Sequence, residues 1–513
     1  MKQKTLLCFI ALSINFFGFS QTFTLNDVTY KVIDATNSYV QIGTGDVYAS
    51  AINNSFSGTL TIPSSINYNN INYTVKGIGS WAFSYCSALT SISMPNSVQN
   101  IGSAVFVGCS SLSSLIIPTS VKTIGSGAFS FCSNLTDISI PNSVTRIENQ
   151  TFSLCSNLKN ITIPNSVTFI GEKAFEGCKF SSVTIPNSVT SIGSMAFIDC
   201  VELLNITLSN SLKTIGTFAF RSCKSLTSIT LPSSLTSVDA SAFSGCVKLT
   251  SIIVDENNLN FTSLDGILFN KAKTSLLKYP IGIQAENYTI PKTVREIGFS
   301  ALEECKLTKI IIPDEVTVIG NSSFSYCSAL TNINMPESLT SIGEIAFRRC
   351  SSLTNITIPK SVKTIGSEAF TDCSGLTKIY ANPSIPISLT FSNSVFYYVD
   401  KTNCTLSVPK GSKAAYDKAF QWSEFKNIIE EDIANGIEPI HTNNFKFYIV
   451  DNQLKFSLMS SNEHVYVANI DGKIIYNKNA NTQDLTITLP TKGMYVVRVG
   501  NKSIKLIVER VTW

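Results

Sequence analysis

Twelve of the fourteen cysteines recur at nearly constant spacing, and thiols arranged in this way could form disulfides, bind metal ions or act as nucleophiles. The interval is 23 residues, except 22 after Cys178 and Cys305 and 59 between Cys246 and Cys305. No CxxC pair or histidine accompanies them, so we favour a buried ladder of small apolar thiols. Disulfides between neighbouring repeats and a metal array remain open. The twelve positions are Cys86, Cys109, Cys132, Cys155, Cys178, Cys200, Cys223, Cys246, Cys305, Cys327, Cys350 and Cys373.

Other catalytic groups are sparse. The only histidines are His441 and His464, near the C-terminus, so the repeats contain no imidazole for general-base or triad chemistry. The sequence has no HExxH, GxSxG, Walker A or GxGxxG pattern. The adjacent acids Glu303-Glu304 and Glu430-Glu431-Asp432 fit solvated surface better than a reaction site. We therefore expect no enzyme activity, no cofactor and no metal.

The charge of the chain is low for its length of 513 residues. Charged residues make up 14%, and the formal net charge is +4. Nucleic-acid binders concentrate positive charge on one face, so this composition argues against a nucleic-acid partner.

An internal repeat positions the cysteines. Residues 124–146 read IGSGAFSFCSNLTDISIPNSVTR, and residues 342–364 read IGEIAFRRCSSLTNITIPKSVKT. Apolar and polar residues alternate in LTDISIP, which predicts a short half-buried strand that ends at Pro141. Phenylalanine precedes the cysteine by three residues in eleven of the twelve regular units, with Leu302 in the twelfth. No single unit can bury both of its faces, so the units must stack on one another.

The IGxxAFxxCxxLTxIxIPxSV units, over about residues 78–380, resemble the BspA-like leucine-rich-repeat family of bacterial surface proteins. The resemblance implies a right-handed repeat solenoid, with a parallel β-sheet on its concave face and short turns or 3-10 segments on the other side. Residues 255–296 interrupt the period with irregular coils and a hairpin turn at Asp265-Gly266.

The flanking segments resemble the same family. TYKVIDATNSYVQI and SGTLTIPSSI, within residues 21–77, resemble its N-terminal β cap segment. VPKGSKAAYDKAFQWSEFKNIIEE resembles its closing cap, for which we expect residues 381–433, with Trp422 and Phe425 covering the last coil. A linker is expected at 434–444.

The two ends of the chain predict export. Residues 1–20 read as a signal peptide, with Lys2 and Lys4 before an apolar stretch that is too short to span a bilayer comfortably. Residues 445–513 predict a small all-β sandwich, which is similar to a type IX secretion C-terminal sorting domain at the Asp471-Gly472-Lys473 turn, Gly493, Tyr495 and Lys505. This resemblance implies export across an outer membrane, removal of the domain, and attachment to the surface or release. The alternative is a plain sandwich without a sorting role.

The concave face is the usual binding surface of such solenoids. Its predicted outward surface is short-chained, rich in hydroxyl and amide groups and almost uncharged, with isoleucines at Ile116, Ile253 and Ile311. Short polar side chains lose little rotamer entropy on binding. The alternative is that serine, threonine and asparagine are simply acceptable on an exposed strand. The positions that we favour as binding residues are Asp137, Asn160, Asn205, Lys309, Asn332, Asn355, Lys378 and Tyr380.

The sequence therefore favours a secreted or cell-surface, adhesin-like binding protein. Its partners would be an extracellular protein or polysaccharide, together with the type IX secretion machinery. The mature chain would contain no integral membrane segment. A self-associating structural protein of the outer surface or matrix is the alternative, and a polysaccharide-acting hydrolase is a remote one.

Overall fold

The structure of the protein is a computed structural model, and it forms two compact units, Met1–Ile283 and Gln284–Trp513. The signal peptide expected at 1–20 and the linker expected at 434–444 lie outside the described residues. The structure describes residues 21–389, 394–431, 445–450, 453–458, 464–469, 473–480, 484–489, 493–499 and 502–508.

Each regular coil contributes two short strands, and each strand pairs in parallel with its counterpart in neighbouring coils. We call the strands that follow the Leu-Thr pair row A, and the strands that end in the isoleucine or valine before the glycine position row B. Their register follows the repeat, because Asp137 is paired with Asn160 in row A and Ile147 with Ile170 in row B. The predicted repeat solenoid of stacked parallel strands is confirmed.

The first unit contains nine strands in row A and eight in row B. The row A strands are Gly58–Thr61, Leu89–Ser93, Ser114–Leu115, Asp137–Ser139, Asn160–Thr162, Ser182–Thr184, Asn205–Thr207, Ser228–Leu231 and Ser251–Val254. The row B strands are Ile71–Ile78, Asn100–Ile101, Thr123–Ile124, Arg146–Ile147, Phe169–Ile170, Ser191–Ile192, Thr214–Ile215 and Ser237–Val238.

The second unit repeats the arrangement in its described residues. The row A strands are Asn287–Thr289, Lys309–Ile311, Asn332–Ile333, Asn355–Ile358, Lys378–Ala381, Thr405–Pro409 and Asn427–Glu431. The row B strands are Glu296–Ile297, Val318–Ile319, Ser341–Ile342 and Thr364–Ile365.

The AFxxC segments form a third row, row C, built from turns. Within a coil the N–H of Cys132 donates to the oxygen of Phe129 at 3.2 Å, which closes a tight turn. Between coils the N–H of Phe129 donates to the oxygen of Thr151 at 2.9 Å, and that of Phe131 to Ser153 at 2.8 Å. A backbone ladder therefore also runs through the turns, and one 3-10 segment, Ala240–Phe243, lies among them.

A stack of phenylalanine rings fills the core beneath row C. In the first unit the rings from Phe83 to Phe243 follow one another with centroids 5.2 to 5.9 Å apart. In the second unit Phe324, Phe347 and Phe370 continue in the same way, at 5.0 and 5.2 Å. Each ring is fully buried, so each of these coils supplies one layer of the core of its unit.

The PxSV motif connects consecutive coils. The N–H of Val144 donates to the oxygen of Pro141 at 3.0 Å, so the motif is a turn at the end of a row A strand. The serine hydroxyl then donates to a carbonyl of the preceding coil, as Ser166 does to Val144 at 2.6 Å and Ser338 to Val316 at 2.6 Å. The serines therefore satisfy backbone oxygens that the turn leaves without a strand partner.

The first unit begins and ends with antiparallel strands. Thr22–Leu25, Val28–Asp34 and Tyr39–Ile42 form a meander, and Ser65–Tyr68 pairs with Ile71–Ile78. Phe261–Leu264, Ile267–Asn270 and Ser275–Lys278 form a second meander. Asp265 and Gly266 make the predicted hairpin turn between its first two strands, with φ angles of 52° and 78°.

The segment predicted as a closing cap also extends row A. Its strand Thr405–Pro409 pairs in parallel with Lys378–Ala381, and Asn427–Glu431 pairs in parallel with Thr405–Pro409. The helix Lys413–Tyr416 and the 3-10 segment Trp422–Glu424 lie between them. Trp422 packs edge-on against Phe396 at 5.1 Å, and Phe425 does so at 5.4 Å. In the described part of the chain, no helix has the length and apolar character needed to cross a bilayer.

Two antiparallel sheets follow at the C-terminus. One contains Phe445–Val450, Gln453–Leu458 and Asp484–Thr488, and the other contains Ile474–Asn479, His464–Asn469, Gly493–Val499 and Lys502–Val508. Side chains from both sheets, among them Leu454, Ile487 and Tyr495, share one buried cluster. The arrangement is that of the expected small all-β sandwich.

Candidate binding surface

The cysteine ladder is internal. All thirteen cysteines from Cys86 to Cys404 are buried, and none of them is in a disulfide. The thiol of Cys132 lies 3.2 Å from the oxygen of Phe106 in the preceding coil, to which it donates, and that oxygen also accepts from the N–H of Cys109. Nine further thiols donate to the equivalent carbonyl at 3.0 to 3.3 Å.

Burial keeps these thiols protonated. It raises the pKa of Cys155 from its ordinary 9.0 to about 12, and the same cause raises the pKa of Cys109 and of Cys373 to about 12. A thiol is nucleophilic and binds metals as the thiolate. The structure also brings no three metal-ligating side chains together in its described residues. In the folded coils the ladder thiols are therefore held in the protonated form.

The predicted binding residues all lie on row A, on the face opposite the core. Asp137 and Ser139 are exposed on either side of buried Ile138, which is the alternation expected of a half-buried strand. Asn160 and Asn205 are exposed in the first unit, as are Lys309 and Asn332 in the second. Asn355, Lys378 and Tyr380 are half-buried.

Side chains of neighbouring coils interact along this face. The amide of Asn160 donates to the carboxylate of Asp137 in the coil before it, and this hydrogen bond lowers the pKa of Asp137. The amide of Asn427 donates to the hydroxyl of Thr405 at 2.7 Å. These contacts order the polar side chains without removing them from solvent.

Lys378 has a structural partner that the sequence did not reveal. Its Nζ lies 2.9 Å from the Oε1 of Glu431 and 4.4 Å from the centre of the Tyr380 ring. Partial burial opposes the charged form of Lys378, yet the hydrogen bond to Glu431 and the Tyr380 ring raise its pKa overall. Burial likewise disfavours the Glu431 carboxylate, but hydrogen bonds from Ser407 and Lys378 lower its pKa overall. Lys378 and Tyr380 therefore join the last coils together.

Sequence reasoning missed part of this face. Asn287 and Thr289 lie in an additional row A strand within the segment expected to be irregular, and both are exposed. The stretch YTIPKTV, which matches TIPNSV elsewhere, was the available signal. Thr405 and Asn427 extend the face through the cap, where only TLSVP resembles the repeat.

A second group of exposed side chains lies on row C of the second unit, at the position before the cysteine or, for Tyr398, before Val399, which takes the place of the cysteine. Tyr326 and Tyr398 are 40% and 66% exposed. Between them, the Arg349 guanidinium lies 5.1 Å from the centre of the Tyr326 ring and 3.3 Å from the Asp372 carboxylate. These residues have φ between 59° and 62°, a left-handed conformation in which the N–H groups of Tyr326, Arg349 and Asp372 still donate to the next coil.

The proposed sorting residues fall within the sandwich strands. Gly493 begins the strand Gly493–Val499, and Lys505 lies opposite Val496 in the neighbouring strand. Tyr495 is fully buried in the cluster between the sheets, which gives it a packing role. The turn residues Asp471 and Gly472 lie outside the described residues, as does His441, while His464 is exposed.

Short parallel strands stacked at a 23-residue period, with a phenylalanine and a leucine in nearly every core layer, define a leucine-rich-repeat solenoid. The chain belongs to the BspA-type leucine-rich-repeat family. The family description "BspA type Leucine rich repeat region (6 copies)" matches residues 53–180, 146–275 and 281–403, which is more than half of the sequence. No curated protein matches the chain.

Solved structures agree with this assignment. A leucine-rich cell surface protein from Faecalibacterium prausnitzii is 27% identical, with a TM-score of 0.53, and the match covers 81% of this chain and 96% of that one. The pneumococcal vaccine antigen PcpA is 22% identical, with a TM-score of 0.50 over 81% of this chain and 99% of its own. The PcpA likeness is a likeness of fold.

Proposed function

We propose that the protein is a secreted or cell-surface binding protein, and that the polar face of row A binds an extracellular protein or polysaccharide. The observation that carries the proposal is the repetition of short polar side chains on this face, which are exposed in pairs in the five consecutive coils from Asp137 to Thr230. The hydrogen-bonded strand backbone holds these side chains in place, so little conformational entropy is lost when a ligand binds to them.

Other observations support the location. The Faecalibacterium relative is named as a cell surface protein, and the chain carries the signal peptide and sorting-domain signatures described above. The low charge of row A favours hydrogen bonding and surface complementarity over electrostatic attraction. We therefore expect binding that changes little with ionic strength.

The experiment is a binding screen of the purified protein on glycan and matrix-protein arrays, followed by measurement of affinity for any hit. Asn205→Arg and Asn332→Arg place a long charged side chain on row A, and either is expected to weaken binding about tenfold or more when the ligand crosses that coil. Thr364→Arg is the matched control, because Thr364 is an exposed side chain on row B. An equal loss of affinity in the row B control and in the row A variants would contradict the proposal.

The same experiment distinguishes ligand binding from self-association and from hydrolysis. Concentration-dependent assembly of the protein, with no array hit, would replace ligand binding by self-association. Hydrolysis of an arrayed polysaccharide, abolished by one carboxylate substitution, would replace it by catalysis.

A further inference from the structure

One pair of thiols departs from the pattern of the cysteine ladder. The Sγ atoms of Cys305 and Cys327, in adjacent coils of the second unit, lie 3.1 Å apart. Both side chains are buried, at 2% and 0% exposure. Cys327 keeps the usual contact to the coil before it, because it also donates to the Leu302 carbonyl at 3.1 Å, so the contact between the two sulfurs is additional to the pattern seen at Cys132 and Cys155.

The shorter repeat does not by itself bring these sulfurs together. The same 22-residue interval separates Cys178 from Cys200, and both of those thiols donate to phenylalanine carbonyls, at 3.3 and 3.1 Å. Cys305 differs because it belongs to the one regular unit in which leucine, Leu302, replaces phenylalanine.

The backbone next to the pair holds the two coils close together. The N–H of Leu302 donates to Ser323 at 2.8 Å and that of Glu304 donates to Ser325 at 2.9 Å, so the two coils are held at strand-like spacing just before the cysteines. Spacing of this kind, ~4.8 Å, lies within the Cα separations that a disulfide spans. Bond formation then requires the sulfurs to approach by roughly 1 Å.

We propose that Cys305 and Cys327 form a disulfide when the protein folds in the presence of a small-molecule disulfide. The thiolate of one cysteine attacks the reagent RSSR, forming a mixed disulfide and releasing RS⁻. The second thiolate attacks the mixed disulfide at the cysteine sulfur and releases a second RS⁻, and the two protons lost by the cysteines convert these to RSH. Because both thiols are buried in the folded coils, the exchange takes place during folding, before the coils close.

The test is refolding of the reduced, denatured protein in a glutathione redox buffer, followed by alkylation, proteolysis and mass spectrometry. The expected product is one dominant cross-linked peptide joining Cys305 to Cys327, lighter than the two separate peptides by two hydrogen atoms. The Cys132–Cys155 pair is the internal control, because its two thiols donate to the carbonyls of Phe106 and Phe129, and it is expected to remain alkylated.

Two variants sharpen the result. Cys305→Ala is expected to remove the cross-link while the remaining ladder cysteines stay alkylatable, and Cys132→Ala is expected to leave it at the wild-type yield. Cross-links spread evenly over neighbouring cysteine pairs, a dominant Cys327–Cys350 bond, or complete alkylation of Cys305 and Cys327 would overturn the proposal. None of these outcomes depends on the ligand or location of the protein, so the inference can fail separately from the proposed function.

Discussion

At the scale of single residues, the recurrent phenylalanine and cysteine stabilise the same point of the coil in different ways. The ring of Phe220 stacks between Phe197 and Phe243, at 5.5 and 5.9 Å, and contributes apolar burial. The thiol of Cys246 donates to the carbonyl of the same Phe220 at 3.1 Å, which satisfies an oxygen that water cannot reach. The core layer therefore needs a thiol, a small apolar group that can still donate a hydrogen bond.

Phe220→Ala tests the ring stack. Removal of a fully buried ring from between two others is expected to lower the free energy of unfolding by ~3–5 kcal/mol, because the cavity cannot close without moving both neighbours. Urea unfolding followed by circular dichroism measures the change. Phe131→Ala is the matched control, since that ring is 53% exposed, and an equal loss in the two variants would contradict the stack.

At the scale of the element, each coil is completed by the next one. Backbone hydrogen bonds join neighbouring coils in row A, in row B and in the turns of row C. The serine hydroxyl of the PxSV motif adds one more hydrogen bond to the preceding coil. The last coil has no such neighbour, so the cap must supply both hydrogen bonds and apolar cover. Val395-Phe396 takes the place of Ala-Phe, and Trp422 closes over it while its Nε1 donates to Ile387 at 2.9 Å.

Trp422→Ala tests this closure. The substitution removes the cover from Phe396 and leaves the Ile387 oxygen without its indole donor, so we expect a loss of ~3–5 kcal/mol in the free energy of unfolding. Thermal and urea unfolding measure it. Tyr398→Ala, at a side chain that is 66% exposed, is expected to change stability by less than about 1 kcal/mol. A wild-type unfolding curve for the tryptophan variant would show that the cap does not depend on this residue.

At the scale of the whole molecule, many small contributions of the same kind add along the coils of each unit, because stability in a repeat protein is close to a sum of neighbour contacts. The buried thiols give this sum a dependence on pH. A thiol whose pKa is raised on folding makes its full contribution to the free energy of unfolding at a pH where the same thiol is also protonated in the unfolded chain. Its contribution falls above pH 9.0, where unfolded thiols ionise, and is gone near pH 12 for Cys155.

The protein is therefore expected to lose stability as the pH rises above 9.0, the ordinary pKa of the thiol. Urea midpoints at about pH 7.5 and about pH 10 measure the loss. A triple variant with alanine at Cys109, Cys155 and Cys373 is less stable at neutral pH but should show a shallower decline, because three ionising groups are gone. If the urea midpoint of the triple variant fell as steeply with pH as that of the wild type, groups other than these three thiols would cause the loss of stability.

The proposed sorting role also belongs to the whole molecule. Deletion of residues 440–513 removes the C-terminal sandwich and leaves both rows of the solenoid coils. We expect the shortened protein to be absent from the cell surface and the culture medium and to accumulate inside the outer membrane, as measured by fractionation and surface labelling. Continued surface display would exclude sorting by this domain.

The sequence by itself determined the period, the strand that follows Leu-Thr, the turn after proline, and the burial of phenylalanine and cysteine. These depend on local alternation and on a repeat that every coil obeys, so one coil is enough to infer the others. The outward direction of Asp137, Asn160, Asn205, Lys309 and Asn332 was predictable for the same reason.

Only the tertiary structure decided which polar groups are used inside the protein. The pairing of Lys378 with Glu431, the place of Phe396 in the ring stack, and the contact between the thiols of Cys305 and Cys327 join residues that are far apart in the sequence. Periodicity shows which side chains face inward, but the partner of a side chain depends on which coils meet and at what distance. That distance is set by the packing of the whole stack, and no single repeat contains it.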